Sequence, residues 1–322
     1  MKADRFLRVA VACVLGWAAA LVSLGASAEG KPTPKEVKIG VYVDMINASS
    51  NYLFENYDRY TKRVKDLQKG PTCDEPGPQS WISGMGPSSA ERYAGYRKAL
   101  AKKPKLDADP AALEMLEALE ALYKPENEAS DYFFQSKFKQ DKCKRGGELH
   151  TILMANWTKY MRAERTVRAF LDKYTDERDA TELTQLQKKY GKALRYYHRK
   201  LMVDAKALIH IADSKELDLS VVRARLAAFE PTLNEAKALV EKEKKGKNSD
   251  ALYQGGYQQM VSYAGQLKDA VDEVIRVVEA EAKDPKAAAR SNSRPTAMKN
   301  LITAYNGLVD QSNKVMYSKA MK

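Results

Sequence analysis

Apolar side chains recur every three or four residues along most of the chain, which is the period of a helix that buries one face. The first such stretch holds one stripe at Ile39, Val43, Ile46, Leu53, Tyr57, Tyr60, Val64 and Leu67. The same rhythm returns over 149–174, 183–211, 217–244 and 253–282. Strand-like alternation is confined to 37–43 and ends while the helical spacing continues. The pattern therefore predicts an all-α fold, an elongated bundle of about seven long helices.

Glycine and proline divide this pattern into elements. Residues 70–89 contain eight of them and are predicted to form a loop, followed by a short helix over 88–101. Asp109 and Pro110 resemble the N-cap and first position of the next helix. Pro125 is expected to kink or divide its helix, and Pro231 is expected to kink the helix that contains it. One uninterrupted helix is predicted from Glu177 to Ala212.

The N-terminus has the three parts of a secretory signal peptide. A basic segment precedes an apolar run over 7–24, and Ala26-Ser27-Ala28 follows as a small-residue cleavage site. We expect residues 1–28 to be removed, although a retained membrane anchor is the alternative. Residues 29–36 are interpreted as a polar tether and residues 37–322 as one helical-bundle domain. The expected location is periplasmic or secreted.

The predicted leader determines which cysteines remain in the mature chain. Cys13 lies within it, which leaves Cys73 and Cys143 in the mature chain. An even pair in an oxidising compartment predicts one disulfide, with two free thiols as the alternative. The bridge would close a loop of about 70 residues and contribute about 4 kcal/mol in the chain-entropy model.

Catalytic and metal-binding signatures are scarce. The chain has three histidines and contains no His-x-x-x-His, Cys-x-x-Cys or Gly-x-Ser-x-Gly motif. Its glycine pairs lack the pattern that holds phosphates. We therefore predict no catalytic residue, no cofactor and no metal. Carboxylate pairs are abundant, however, so a hydrolase acting on an envelope polymer is kept as the alternative function.

A basic segment carries the strongest candidate chemistry. The chain has a net charge of +12, and no acidic residue occurs over 183–203. Four cations are spaced four, three and four residues apart, which places them on one helix face opposite the apolar stripe: Lys188, Lys192, Arg195 and Arg199. They are predicted to bind an anionic partner, either an acidic protein or an anionic lipid surface. The alternative is a solvated face, or one neutralised by acids on a neighbouring helix. Nucleic acid is not expected in the cell envelope.

Several short motifs occur in a recognisable order. They are Tyr57-Asp58-Arg59-Tyr60 with Lys69-Gly70-Pro71-Thr72, Leu119–Tyr123 with Asn127–Tyr132, Gly146-Gly147-Glu148-Leu149-His150, Tyr190–Met202 and Ala304–Val309. Together they resemble the YiiG-like family of bacterial cell-envelope proteins. The resemblance implies an all-α envelope protein and no particular activity. Members are often lipoproteins, whereas this chain has no lipid-anchor cysteine at its predicted cleavage site.

These observations combine into one functional hypothesis. The chain is predicted to be a non-enzymatic envelope protein with a structural or adaptor role, which binds an anionic partner through its basic segment.

Overall fold

The computed structural model describes residues 32–75, 80–210, 217–244 and 251–316. Over these residues the chain forms helices and no strands, which confirms the all-α prediction. The helices are α1 (Pro34–Thr61), α2 (Ser88–Ala101), α3 (Asp109–Phe134), α4 (Phe138–Asp141), α5 (Lys144–Tyr190), α6 (Leu194–Ile209), α7 (Leu219–Lys244), α8 (Ala251–Lys283), α9 (Pro285–Arg290) and α10 (Ser293–Met316). The predicted signal peptide lies outside the described residues.

The first helix begins inside the segment that was expected to be a tether. Thr33 is the N-cap, and its hydroxyl accepts a hydrogen bond from the Glu36 backbone N–H at 3.2 Å. The Glu36 carboxylate accepts in return from the Thr33 N–H at 2.7 Å. Pro34 then occupies the first turn, where its missing N–H removes no helical hydrogen bond. The prediction of a tether over 29–36 was therefore wrong from Pro34 onward.

Prolines within the helices do not interrupt them. Pro125 lies inside α3 and Pro231 inside α7, and both helices continue past the proline. Of the two outcomes expected at Pro125, a kink or a division of the helix, the division does not occur. Asp109 is the first residue of α3, and Ala108 takes the N-cap position that the sequence suggested for Asp109.

The chain separates into two compact units, although the sequence suggested one domain over 37–322. The N-terminal unit comprises the described residues of Gly30–Tyr174, and the C-terminal unit those of Thr175–Lys322. Helix α5 runs through the boundary. Because its helical pattern continues across the boundary, the sequence contains no linker that would mark it.

An aromatic cluster forms part of the core of the N-terminal unit. The ring of Tyr60 lies 5.9 Å from Trp81 and 5.6 Å from Trp157, measured between centroids. Trp81 in turn lies 5.1 Å from Phe133. All four side chains are almost fully buried, so helices α1, α3 and α5 and the segment before α2 share one aromatic core.

The C-terminal unit has its own aliphatic core. Helix α8 packs against α10, α7 and α6, and α6 packs against α7. Fully buried side chains from all four helices meet there: Leu201, Phe229, Met260, Leu267 and Leu308. These helices form a bundle in the sense predicted from the apolar stripes.

Candidate functional site

The predicted basic stripe does not lie on one helix. Helix α5 ends at Tyr190 and α6 begins at Leu194. Gly191 has φ +64°, and its N–H donates to the Gln187 carbonyl at 2.9 Å, an αL termination that glycine favours. Ala193 is extended and precedes α6. The prediction of one helix from Glu177 to Ala212 was therefore wrong; its last two residues lie outside the described ranges.

This break distributes the four predicted cations over three elements. Lys188 lies in the last turn of α5 and Lys192 in the connection, while Arg195 and Arg199 lie in α6. Lys188 and Lys192 are exposed, and Arg195 and Arg199 are only partly so. The residues are near one another in the chain, but the single face inferred from their spacing does not exist.

Arg199 is an internal structural residue. Its guanidinium pairs with Asp179 and, at 2.9 Å, with Glu182, and only 13% of its side chain is exposed. Both acids lie on α5, and α6 turns back beside α5 after the Gly191 break, so that Lys206 also pairs with Asp176 at 2.9 Å. The exposure predicted for Arg199 was therefore wrong, because an antiparallel neighbour supplies acids that the segment 183–203 lacks.

A different group of cations surrounds the break. The Lys189 Nζ lies 5.0 Å from the centroid of the Tyr190 ring, and the Arg195 guanidinium lies 5.2 Å from it. Tyr190 remains 39% exposed. Lys189 and then Arg195 stabilise its phenolate form, which lowers the Tyr190 pKa. Two cations thus lie over one accessible aromatic ring.

Lys192 has an exposed acidic neighbour. Lys192 Nζ lies 3.9 Å from a Glu235 oxygen, and both side chains are more than half exposed. The same Glu235 carboxylate accepts a hydrogen bond from Tyr197 at 2.6 Å. Such an exposed ion pair contributes little. We call the following group the α5–α6 corner: Lys188, Lys189, Tyr190, Lys192 and Arg195.

The predicted disulfide joins Cys73 to Cys143, whose Cα atoms are 5.7 Å apart. Helix α5 passes close to it at Gly146, where an added Cβ would lie 2.8 Å from the Cys143 Sγ. One turn further on, His150 Nδ1 is 2.9 Å from the Tyr60 hydroxyl, and Nε2 is 3.0 Å from the Leu67 carbonyl. Two of the family motifs therefore meet at this bridge and serve packing there.

Glu126 is a buried carboxylate that the sequence analysis did not select. It is fully buried and accepts from Trp157 Nε1 at 2.7 Å, from the Tyr52 hydroxyl at 2.8 Å and from Asn56 Nδ2 at 3.4 Å. Burial raises its pKa to about 7, although these three donors oppose the rise. Its place on the apolar stripe of α3, between Leu122 and Ala129, was the available signal.

Two other buried carboxylates, Asp109 and Glu164, are held by cations. Asp109 accepts from Lys38 Nζ at 2.8 Å and from the Tyr42 hydroxyl at 2.6 Å. The same ammonium donates to two carbonyls of the α2–α3 connection, so the pair fixes that segment. Glu164 pairs with Arg168 at 2.6 Å. Protein donors thus occupy these acids, and removing either cation would leave a buried negative charge unpaired.

Neither a metal-binding cluster nor a membrane-spanning helix occurs within the described ranges. Those residues contain no group of three or more histidine, cysteine and carboxylate side chains arranged to hold a metal ion. Within the same ranges, no helix is long and apolar enough to cross a membrane.

The fold and these contacts define an all-helical protein of two units, the first of which contains a disulfide. The family model described as "Protein of unknown function (DUF3829)" matches residues 33–314, and the chain belongs to that family. It is similar to the uncharacterized protein YiiG of Escherichia coli (strain K12), with 26% identity over 261 residues that cover 76% of this chain and 73% of YiiG. The resemblance to YiiG-like proteins is thereby confirmed. No solved structure matches the chain.

Proposed function

We propose that this chain is a non-enzymatic protein of the bacterial cell envelope that docks on an anionic surface through the α5–α6 corner. The observation that carries the proposal is the exposed Tyr190 ring with both Lys189 and Arg195 over it. Lys188 and Lys192 add two exposed charges beside it. Arg199 is excluded from the docking group because its two acid partners already hold it.

The local chemistry favours anionic phospholipid as the surface. Lysine and arginine near an anionic membrane each contribute about 1 kcal/mol of attraction, and the effect extends over about one Debye length. A half-exposed tyrosine among them suits the boundary between headgroups and acyl chains, since its ring is apolar and its hydroxyl is polar. Clustering these groups at one turn between two helices lets them reach a flat surface together.

The part of this proposal that concerns location rests on the leader-like sequence over 1–28 and on the absence of a lipid-anchor cysteine at its end. Cleavage before Glu29 would release the chain from the inner membrane. A basic corner would then bring the released chain back to a membrane surface reversibly. Intact-mass measurement of exported protein tests the first step; a mass that retains residues 1–28 would contradict it.

Vesicle sedimentation tests the docking step. The variant replaces Lys188, Lys189, Lys192 and Arg195 with Gln, and its partition onto vesicles of phosphatidylglycerol and phosphatidylethanolamine is compared with the parent. At about 1 kcal/mol for each cation, the loss of four should weaken binding roughly a thousandfold at low salt and less at high salt.

A charge-matched variant provides the control. Lys105, Lys124, Lys139 and Lys144 are exposed in the N-terminal unit, and replacing them with Gln removes the same total charge. This control should bind like the parent. Equal losses in the two variants would show that only net charge matters, which would contradict docking through the corner. If the parent and the control both fail to bind the vesicles, docking on lipid is contradicted.

A further inference from the structure

A groove follows the seam between α8 and α10 in the C-terminal unit. Its volume is about 620 Å³, within the range typical of small-ligand sites. Ala270 on α8 and Ala304 and Gly307 on α10 line it with small side chains, which leaves room between the two helices. The groove lies in one unit and contains none of the residues of the α5–α6 corner.

The polar lining is rich in uncharged hydrogen-bonding groups. Three amides, one hydroxyl, one tyrosine and one carboxylate line the groove: Gln266, Asn300, Asn306, Thr303, Tyr263 and Asp310. The Thr303 hydroxyl donates to the Lys299 carbonyl at 2.9 Å and is therefore engaged. The amides offer both donors and acceptors, and the carboxylate offers acceptors only.

The tyrosine is fixed by the backbone of the opposite helix. A Cβ added at Gly307 would lie 2.8 Å from Tyr263 Cε1 and 2.9 Å from Cδ1. Only glycine lets the ring lie this close to α10, so the aromatic side chain is held at the groove. Gly307 lies in Ala304–Val309, one of the motifs on which the family resemblance rests. In this structure that motif makes room for the Tyr263 ring.

We infer that the α8–α10 groove binds a neutral oligosaccharide. Several amides and a carboxylate match the dense hydroxyl groups of a sugar, each of which can donate and accept. An aromatic ring supplies an apolar surface for the C–H face of a pyranose. Asp310 disfavours an anionic ligand, and no cation lines the groove among the described residues. The inference goes beyond membrane docking and concerns a separate site.

Calorimetric titration of the full chain tests this inference with two neutral probes, chitotetraose and maltotetraose. Binding of at least one probe at millimolar concentration is expected. The double variant with Gln266→Ala and Asn300→Ala should bind roughly tenfold or more weakly, since it loses two amides. The control replaces Gln185 and Gln187 with Ala, which removes two exposed amides from α5 in the same unit. It should bind like the parent.

A backbone variant provides a second readout. Gly307→Ala forces the Tyr263 ring to move and should weaken the same probe, while circular dichroism checks that the bundle remains folded. Absence of binding by both probes would overturn the inference. Binding that the Gln266 and Asn300 changes leave intact would also overturn it, because the sugar would then lie elsewhere.

Discussion

The protonation of Glu126 provides a sharp test of the core of the N-terminal unit. This carboxylate is fully buried and hydrogen-bonded to neutral donors. Its pKa is about 7 in the folded chain, against an ordinary value of 4.5. Between pH 4.5 and pH 7, Glu126 is protonated in the folded chain and ionised in the unfolded chain. The free energy of unfolding should therefore fall as pH rises through this window, and the loss is complete above pH 7.

The magnitude follows from the two pKa values. At about 1.4 kcal/mol per pH unit, the contribution of Glu126 should change by about 2.5 kcal/mol between pH 5 and pH 8. Glu126→Gln removes the titration and preserves the shape of the side chain. The new amide oxygen can accept from Trp157, and its NH₂ group can donate to the Tyr52 hydroxyl, whose one proton can then go to the neighbouring Ser83 carbonyl. The variant should therefore fold.

Urea unfolding followed by tryptophan fluorescence is the assay, at four pH values from 5 to 8. Trp81 and Trp157 both lie in the N-terminal unit, so their emission reports on this unit. The difference in unfolding free energy between variant and parent should grow in favour of the variant as pH rises. Glu55→Gln, an exposed change on α1, is the control and should follow the parent. Parallel pH profiles for parent and Glu126→Gln would refute the reasoning.

Three further predictions concern single side chains. Burial lowers the pKa of His198 to about 4, so the unfolded chain takes up its proton first as pH falls, and the free energy of unfolding should drop by about 3 kcal/mol between pH 6.5 and 4. His198→Gln should remove this dependence, as measured by circular dichroism of urea unfolding. Gly146→Ala should destabilise the N-terminal unit by about 1–3 kcal/mol, because its Cβ would press on the Cys143 sulfur; tryptophan-monitored unfolding measures this. Arg199→Gln should cost about 1–3 kcal/mol, because buried Asp179 keeps only its longer contact with Arg178 and partly exposed Glu182 loses its ion pair, whereas Lys188→Gln should leave the thermal midpoint nearly unchanged.

Local patterns predicted much of this fold. Helix α2 has the bounds that the glycine and proline positions indicated, and the two cysteines pair as their number and predicted compartment implied. Both features depend on signals within a few residues or on simple counting. The start of α1 could also have been predicted, because Thr33, Pro34 and Glu36 are the residues of a capping box with proline in the first helical turn.

The sequence patterns did not predict features that form only when separate parts of the chain pack together. The apolar stripe continues in register from Leu186 to Leu194, so spacing alone could not show that Gly191 turns the chain back. Only that turn brings Asp179 beside Arg199 and removes it from the exposed group. The α8–α10 groove likewise combines residues some forty positions apart, whose proximity is decided by packing. Glu126, in contrast, occupied a core position on a helical stripe and could have been selected from the sequence.

Competitive acetylation of lysines, with and without phosphatidylglycerol vesicles, tests docking through the α5–α6 corner most directly. Mass spectrometry measures the modification rate at each lysine of the unaltered chain. Docking through the corner predicts that vesicles slow modification several-fold at Lys188, Lys189 and Lys192, and leave the rates at Lys124 and Lys139 unchanged. Docking through the corner would be contradicted if all five lysines were protected equally. It would also be contradicted if the chain sedimented with vesicles and the corner lysines were not protected.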